Sequence, residues 1–323
     1  MKIDFHTGFT TYDFGDNNFL FVDLHPTTDL TFMPRDDIGA DLVSVNLARK
    51  MKCKAIITTL PRNQQYGIDF NRLPPSEAHA IGMLPKFMNH KFGDTKNYEK
   101  RYAWVATDKL DHRKRKGIYN RFWSTVKKSA SELSKKGILV FVHVQNPELR
   151  NYPSAMDVIP ISGLHEARVK KAIEKLNGKY AKEFGRLKKD FTTYLVSYNS
   201  NQYKTVLMQM FKSLNPKRFV GAEKENYHKM LNKLKALGFH KEYAQLKNSY
   251  SIESHANAIK KVCGKVPPRI TYMMNFTGKF ALGTRKETKG YKVLEVEMNS
   301  FLSEVRTDLA IRILEGLLNE ISK

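Results

Sequence analysis

Several segments of this chain end on side chains that could do chemistry. The apolar run Phe19-Leu-Phe-Val-Asp-Leu-His25 ends in a histidine, and so does Gly137-Ile-Leu-Val-Phe-Val-His143. The alternating run Lys292-Val-Leu-Glu-Val-Glu297 ends in an acid, with Glu295 on the same face one repeat back. Between them, the segment Leu60 to Pro75 places Arg62, Asp69, Asn71 and Arg72 just past the apolar strand Lys54-Ala-Ile-Ile-Thr-Thr59. Two neutral imidazoles and one carboxylate form a common catalytic zinc set that leaves a position for water. Zinc brings the pKa of such a water to about 7, and a further carboxylate can take its proton and pass it to a leaving nitrogen. His25, one N-terminal acid, His143 and Glu297 have the residue types for those roles. A guanidinium fork beside an amide suits a carboxylate, so Arg62, Asn71 and Arg72 read as a floor for an anionic substrate, with Asp69 orienting an arginine. Each feature has a plainer meaning: an Asp–Arg pair that pins a loop, a core histidine, an acid that caps a helix. Their shared place decides for a site, because open α/β sheets bind ligands at the carboxyl ends of their strands.

The elements that must position these residues follow an α/β order. Phe5 to Thr10 and Asn18 to Leu24 are expected as strands around the turn Gly15-Asp-Asn-Asn18. Asp36-Asp37 opens a helical pattern over Ile38 to Met51, where acids suit a helix N-terminus. The strand Ala55 to Thr59 follows, and strand–helix–strand order suggests an α/β sheet. Residues 76–112 carry few clear signals. Lys114 to Lys136 is amphipathic, with Ile118, Phe122, Trp123 and Val126 on or near one face. It leads into the strand Ile138 to Val142, and Asp157 to Gly163 reads as another short strand. Strand signals resume at Ile270 to Met274 and Tyr291 to Glu297, and a helix over Leu309 to Ile321 closes the chain. Between them, 166–262 is Lys-rich and mainly helical, with a Gly C-cap at Gly238. The expected organisation is an α/β domain built from 1–165 and 263–323, interrupted by a helical insertion over 166–262.

At 323 residues, 41% of them hydrophobic, the chain can bury a large core and is not expected to be disordered. Two cysteines, Cys53 and Cys263, exclude a disulfide framework and a Cys-rich zinc motif, so a metal must sit on His and carboxylates. Met1-Lys-Ile-Asp-Phe-His lacks the apolar stretch of a signal peptide, and no run approaches the roughly 20 residues of a membrane span. A cytoplasmic protein with no membrane partner is expected. The net charge is +23, from 55 basic and 32 acidic residues. The basic residues are mostly Lys and widely spread, and no RNP motif, zinc finger or Gly-rich RNA clamp is present. The charge therefore predicts loose, non-specific attraction to nucleic acid and other polyanions rather than specific recognition. His240 and His255 in the helical insertion are expected to be solvated, and His165 to lie on a surface loop.

With these residues in hand, the chain resembles the N-formylglutamate amidohydrolase family, within the wider group of zinc carboxypeptidases and aspartoacylases. His6-Thr-Gly and Leu24-His25-Pro26 look like the family's start. Asp37-Ile-Gly-Ala-Asp-Leu42 is similar to its acidic helix start. Leu60-Pro-Arg62 with Ile68-Asp-Phe-Asn-Arg72 is the nearest match, resembling its Arg and Asp-Leu-Asn-Arg-Pro elements. Val140-Phe-Val-His143 resembles its histidine strand, and Leu294-Glu-Val-Glu-Met-Asn299 its Gln-Ile-Glu-Ile-Asn strand. The chain departs where no Ser-Gly follows His25 and where Ser300 stands in place of an arginine. The resemblance implies a three-layer αβα mixed sheet of the phosphorylase/hydrolase-like type and a single zinc ion held by His25, His143 and an acid. It points to Asp37 for that acid, with Asp29 and Asp36 as alternatives, and to Glu297 rather than Glu295 as the catalytic carboxylate. The implied activity is hydrolysis of an amide in a small carboxylate-bearing substrate such as an N-acyl amino acid. A metallopeptidase, or a polyanion-binding protein on a decayed hydrolase fold, are the competing expectations.

Overall fold

The computed structural model describes residues 1–15, 18–25, 37–60, 68–85, 104–210, 221–274 and 282–323. Its centre is an eight-stranded mixed sheet. The strands are β1 (Lys2–His6), β2 (Phe9–Asp13), β3 (Phe19–Asp23), β4 (Lys54–Thr58), β5 (Ile138–Gln145), β6 (Ser154–Ser162), β7 (Arg269–Tyr272) and β8 (Val293–Asn299). They lie in the order β1-β2-β4-β3-β5-β8-β6-β7. The four central strands β4, β3, β5 and β8 are mutually parallel, β1 and β2 are antiparallel additions at one edge, and β6 runs antiparallel to β8. Strands buried on both faces should read as unbroken apolar runs, and β3 does, with all five residues buried.

Helices cover both faces, which makes this an α/β fold. On one side lies α3 (Lys109–Ser131), after the short α2 (Glu77–Gly82). The buried stripe of α3 comprises Tyr119, Phe122, Trp123 and Val126, spaced to face the sheet, and it packs on Leu20, Val22, Ile56, Leu139 and Phe141. The opposite face is covered by α1 (Ala40–Lys50), the long α4 (Glu166–Met210), α7 (Ile252–Lys265) and the C-terminal α10 (Thr307–Ile321). The remaining helices are α5 (Gly221–Ala236), α6 (His240–Asn248), α8 (Leu282–Glu287) and α9 (Ser300–Glu304). Residues of α4, α5 and α7 share one hydrophobic cluster with Val140, Val296 and Met298 of the sheet. Gly238 adopts φ 79° after α5 and its amide reaches Lys235 O, as a glycine C-cap should.

Two local expectations, and the plainer reading of Asp37 as a helix cap, need correction. Phe5 to Thr10 is not one strand but a hairpin bend, with β1 ending at His6, β2 starting at Phe9, and Gly8 turning between them at φ 93°. A side chain at Gly8 would stand 2.7 Å from Ile118 of α3, so the bend also lets that helix approach. The Asp37 side chain does not cap α1. That helix begins at Ala40 with Gly39 as N-cap and no side-chain capping bond, because Asp37 is directed elsewhere. His255 is not solvated but buried on the inner face of α7, where its ring meets the Tyr250 hydroxyl at 3.0 Å.

Candidate functional site

The parallel strands β3, β5 and β8 deliver their C-terminal residues to one edge of the sheet. His25 lies two residues past β3 and is fully buried. His143 lies near the end of β5, opposite Glu297 across the β5–β8 ladder. The two imidazole rings are 5.7 Å apart between centroids. The loop that returns to α1 is tied to this edge by the Asp37 amide, which donates to His25 O at 2.7 Å. That tie carries the Asp37 carboxylate to His143, whose Nδ1 it meets at 2.7 Å. Gly39 makes the approach possible. It sits at φ 81°, and a Cβ there would stand 2.6 Å from the Ser303 carbonyl oxygen.

The segment after β4 comes in from the other side. Asp69 accepts from the Asn71 amide at 3.0 Å and from Arg72 Nε at 2.9 Å, and its Oδ1 lies 3.5 Å from His25 Nε2. Asn71 Nδ2 is 3.0 Å from the same His25 nitrogen, and Thr284 Oγ1 donates to Asn71 Oδ1 at 2.6 Å. Both tryptophans hold the segment down. Trp123 Nε1 donates to Phe70 O at 3.2 Å, and Trp104 Nε1 to Arg72 O at 3.3 Å. The indoles thus satisfy carbonyls that a buried loop would otherwise leave without partners. The structure therefore brings together His25, Asp37, Asp69, Asn71, Arg72, His143 and Glu297. Arg62, Asp29 and Asp36 lie outside the described residues.

Other groups at this edge were not singled out from the sequence. Asp23 is fully buried at the end of β3, and its Oδ1 accepts from the His25 amide at 3.2 Å. Burial, and next the charge of Asp37, hold its carboxyl well above the usual range. Asp157 of β6 pairs with Glu297 across the β6–β8 ladder. Its carboxylate accepts from Ser154 Oγ at 2.7 Å, from Gln145 Nε2 at 3.1 Å and from Thr271 Oγ1. Burial raises its pKa against the pull of those donors. Gln145 also reaches Glu297 O at 3.4 Å. For Glu297 itself, burial and then the like charge of Glu295 push the pKa up to about 7. His143 moves the other way from what burial alone would do. Burial disfavours its charged form, but the hydrogen bond and charge of Asp37, with Glu295 and Glu297 behind, raise its pKa to about 10.

Among the described residues, no three His, Cys, Asp or Glu groups stand in metal-ligand geometry. His143 Nδ1 is engaged by Asp37, and His25 Nε2 faces Asn71 and Asp69. The donor set still fits a divalent cation in type and charge. Two imidazoles stand among the carboxylates Asp23, Asp37 and Glu297, two of which have pKa values raised by burial and by like charge. A cation at that edge would relieve the repulsion. A histidine that gives one ring nitrogen to a carboxylate is also the arrangement in which the other nitrogen is oriented towards a metal.

No protein-family model matches the sequence, and no curated protein matches it. Among solved structures, gene product Atu2144 from Agrobacterium tumefaciens aligns with a TM-score of 0.50 at 10% identity, over 97% of this chain and 94% of that one. N-formylglutamate amidohydrolase from Ralstonia eutropha JMP134 aligns with a TM-score of 0.46 at 11% identity, over 98% and 97%. At such identities the likeness to Atu2144 concerns the fold alone, an α/β sheet with helical cover along the whole chain. Among the described residues, no helix is long and apolar enough to cross a membrane.

Proposed function

We propose that the chain is a zinc-dependent hydrolase that cleaves an amide bond in a small carboxylate-bearing substrate, such as an N-acyl amino acid. The observation that carries this reading is the convergence at one strand edge of two imidazoles, a buried acid cluster and an Asn-Arg segment in contact with one of those imidazoles. His25, His143 and Asp37 are the residues that would hold the metal. When bound, zinc supplies a Lewis acid and a water of lowered pKa. The chain's own residues do the rest. Glu297, with its pKa near neutrality, takes a proton on its carboxylate and returns it to the leaving nitrogen. Asp69 holds the Arg72 guanidinium, and Arg72 and Asn71 grip the substrate carboxylate. Asp157, braced by Ser154, Gln145 and Thr271, keeps a second carboxylate beside Glu297 and helps to keep its proton on.

The test is metal analysis of the purified chain together with a substrate panel. The expected result is about one zinc per chain, lost in His25→Ala and His143→Ala, with N-acyl amino acids cleaved and their neutral amides not. Glu297→Gln should keep the metal and lose turnover by about 10²- to 10⁴-fold. A chain that binds no divalent metal, or that hydrolyses neutral amides equally well, overturns the reading.

A further inference from the structure

Much of the net charge falls in the segment 166–265. Residues 166–265 carry 22 Lys and Arg against 8 Asp and Glu, a surplus of 14 out of the chain's 23. Within α4 this charge is ordered. Lys171, Lys175, Lys179, Lys182, Arg186 and Lys189 recur every three or four residues, and at 3.6 residues per turn they fall within about an 80° arc. All six are exposed, and the apolar side chains Ile173, Leu176, Tyr180, Phe184 and Leu187 occupy the opposite, buried face. The stripe runs about 27 Å at 1.5 Å per residue. Among the described residues Lys171, Lys182, Arg186 and Lys189 form no ion pair, whereas Lys175 meets Glu320 at 2.7 Å. Glu183, at the margin of the arc, is already neutralised by Arg306 and Arg312 at 3.1 and 2.6 Å. Two other acids, Glu174 and Asp190, are exposed on either side of the arc, and against them the six cations keep a clear surplus.

We infer that this stripe of α4 is a docking surface for the phosphate backbone of a double-stranded nucleic acid. A row of cations on one helix face matches the regular phosphates of a duplex, which present about one charge per 3.4 Å on each strand. The face offers no exposed aromatic ring for base stacking, which a single strand would require. It also has no exposed large apolar side chain to enter a lipid surface, since the described residues of that kind lie elsewhere, at Met1, Phe5, Leu110 and Met274 among others. Binding is read through the backbone, so it is independent of sequence and steeply dependent on salt.

The test uses the full chain and a fluorescent 30-base-pair DNA duplex of arbitrary sequence, with anisotropy followed from 50 to 200 mM NaCl. With four to five phosphates neutralised, the affinity should fall by about 150- to 500-fold across that range. The triple variant Lys171→Gln, Lys182→Gln, Lys189→Gln should flatten this to about tenfold or less. Lys224→Gln, Lys235→Gln, Lys241→Gln removes the same charge from other exposed helical positions and should keep most of the wild-type slope. Thermal melts confirm that both variants fold. If the two triple variants lose the slope equally, only bulk charge is acting and the docking surface does not exist. Tighter binding to anionic phosphatidylserine vesicles than to the duplex, abolished by the stripe variant alone, would replace the nucleic acid by a membrane.

Discussion

Phe191 decides whether the helices after residue 165 are an appendage or part of the core. Its ring is 1% exposed and stacks edge-on against Phe301, 5.1 Å away, and at 5.9 Å against Tyr152, which leads into β6. Phe191→Ala leaves a cavity between α4 and the sheet, at a cost of about 3–5 kcal/mol. The two aromatic pairings place it in the upper half of that range. For 323 residues the unfolding entropy is about 0.7 kcal/mol/K, so the midpoint should fall by about 6 °C. The assay follows helix content by far-UV circular dichroism and, in parallel, tryptophan emission. Both tryptophans, Trp104 and Trp123, lie on the other face of the sheet, packed with α3. If helices and sheet share one core, the two signals melt together and both shift. The reasoning fails if the tryptophan transition stays in place while the helical signal moves, because α4 then unfolds as a separate unit.

Two further outcomes follow from backbone and burial. Gly39→Ala should destabilise by about 1–3 kcal/mol in urea melts, since φ 81° and the Ser303 carbonyl both oppose a Cβ. The His143 ring resonances should shift in the same variant as Asp37 is displaced. Burial drives the pKa of His255 down to about 4. As pH falls, the unfolded chain, with an ordinary histidine pKa of about 6.5, takes the proton first. Stability is then whole above about pH 6.5 and drains away towards pH 4, by about 3 kcal/mol in all. His255→Phe should show a flatter acid limb in denaturant melts at pH 7, 5.5 and 4.5, and equal slopes would place the loss elsewhere.

What could be read from the sequence was local. His25, His143 and Glu297 announce themselves because each ends an apolar run, and strand ends in a parallel sheet share an edge. Asp69, Asn71 and Arg72 were readable for the same reason, by following β4. Asp23 carries no such signal, because an acid inside Phe19-Leu-Phe-Val-Asp-Leu looks like ordinary alternation, although a β3 buried on both faces leaves it no solvent. The partnership of Asp157 and Gln145 with Glu297 rests on the antiparallel register of β6 on β8 and the parallel register of β5, which no local pattern encodes. The plainer reading of Asp37 as a cap of α1 had sound propensity behind it. It failed because a buried imidazole competed for the carboxylate and a left-handed Gly39 took the cap position. His255 could have been found: with Ala258, Ile259 and Val262 it falls at the i, i+3, i+4 and i+7 spacing of the buried face.

The arrangement of charge at the edge explains why its parts depend on one another. Asp23 and Asp37 are buried beside the end of β3, and Glu295 and Glu297 stand on β8 facing β5. Burial and neighbouring like charge raise the pKa of Asp23 and of Glu297 in this cluster. The His143 imidazole lies among these acids. Asp37 grips it on one side, and Glu297 faces it across the ladder on the other. Arg72 plays the same part for Asp69, with the indoles of Trp104 and Trp123 fixing the backbone that carries both. Each imidazole or guanidinium therefore has a carboxylate that positions it, and each positioning carboxylate hangs on a backbone tie made by another element. Asp37 hangs on the His25 carbonyl and Gly39, and Asp69 on α3. A change in any tie moves a charge at the edge, so the positioning of this site is distributed over α1, α3 and the sheet rather than over the strand ends alone.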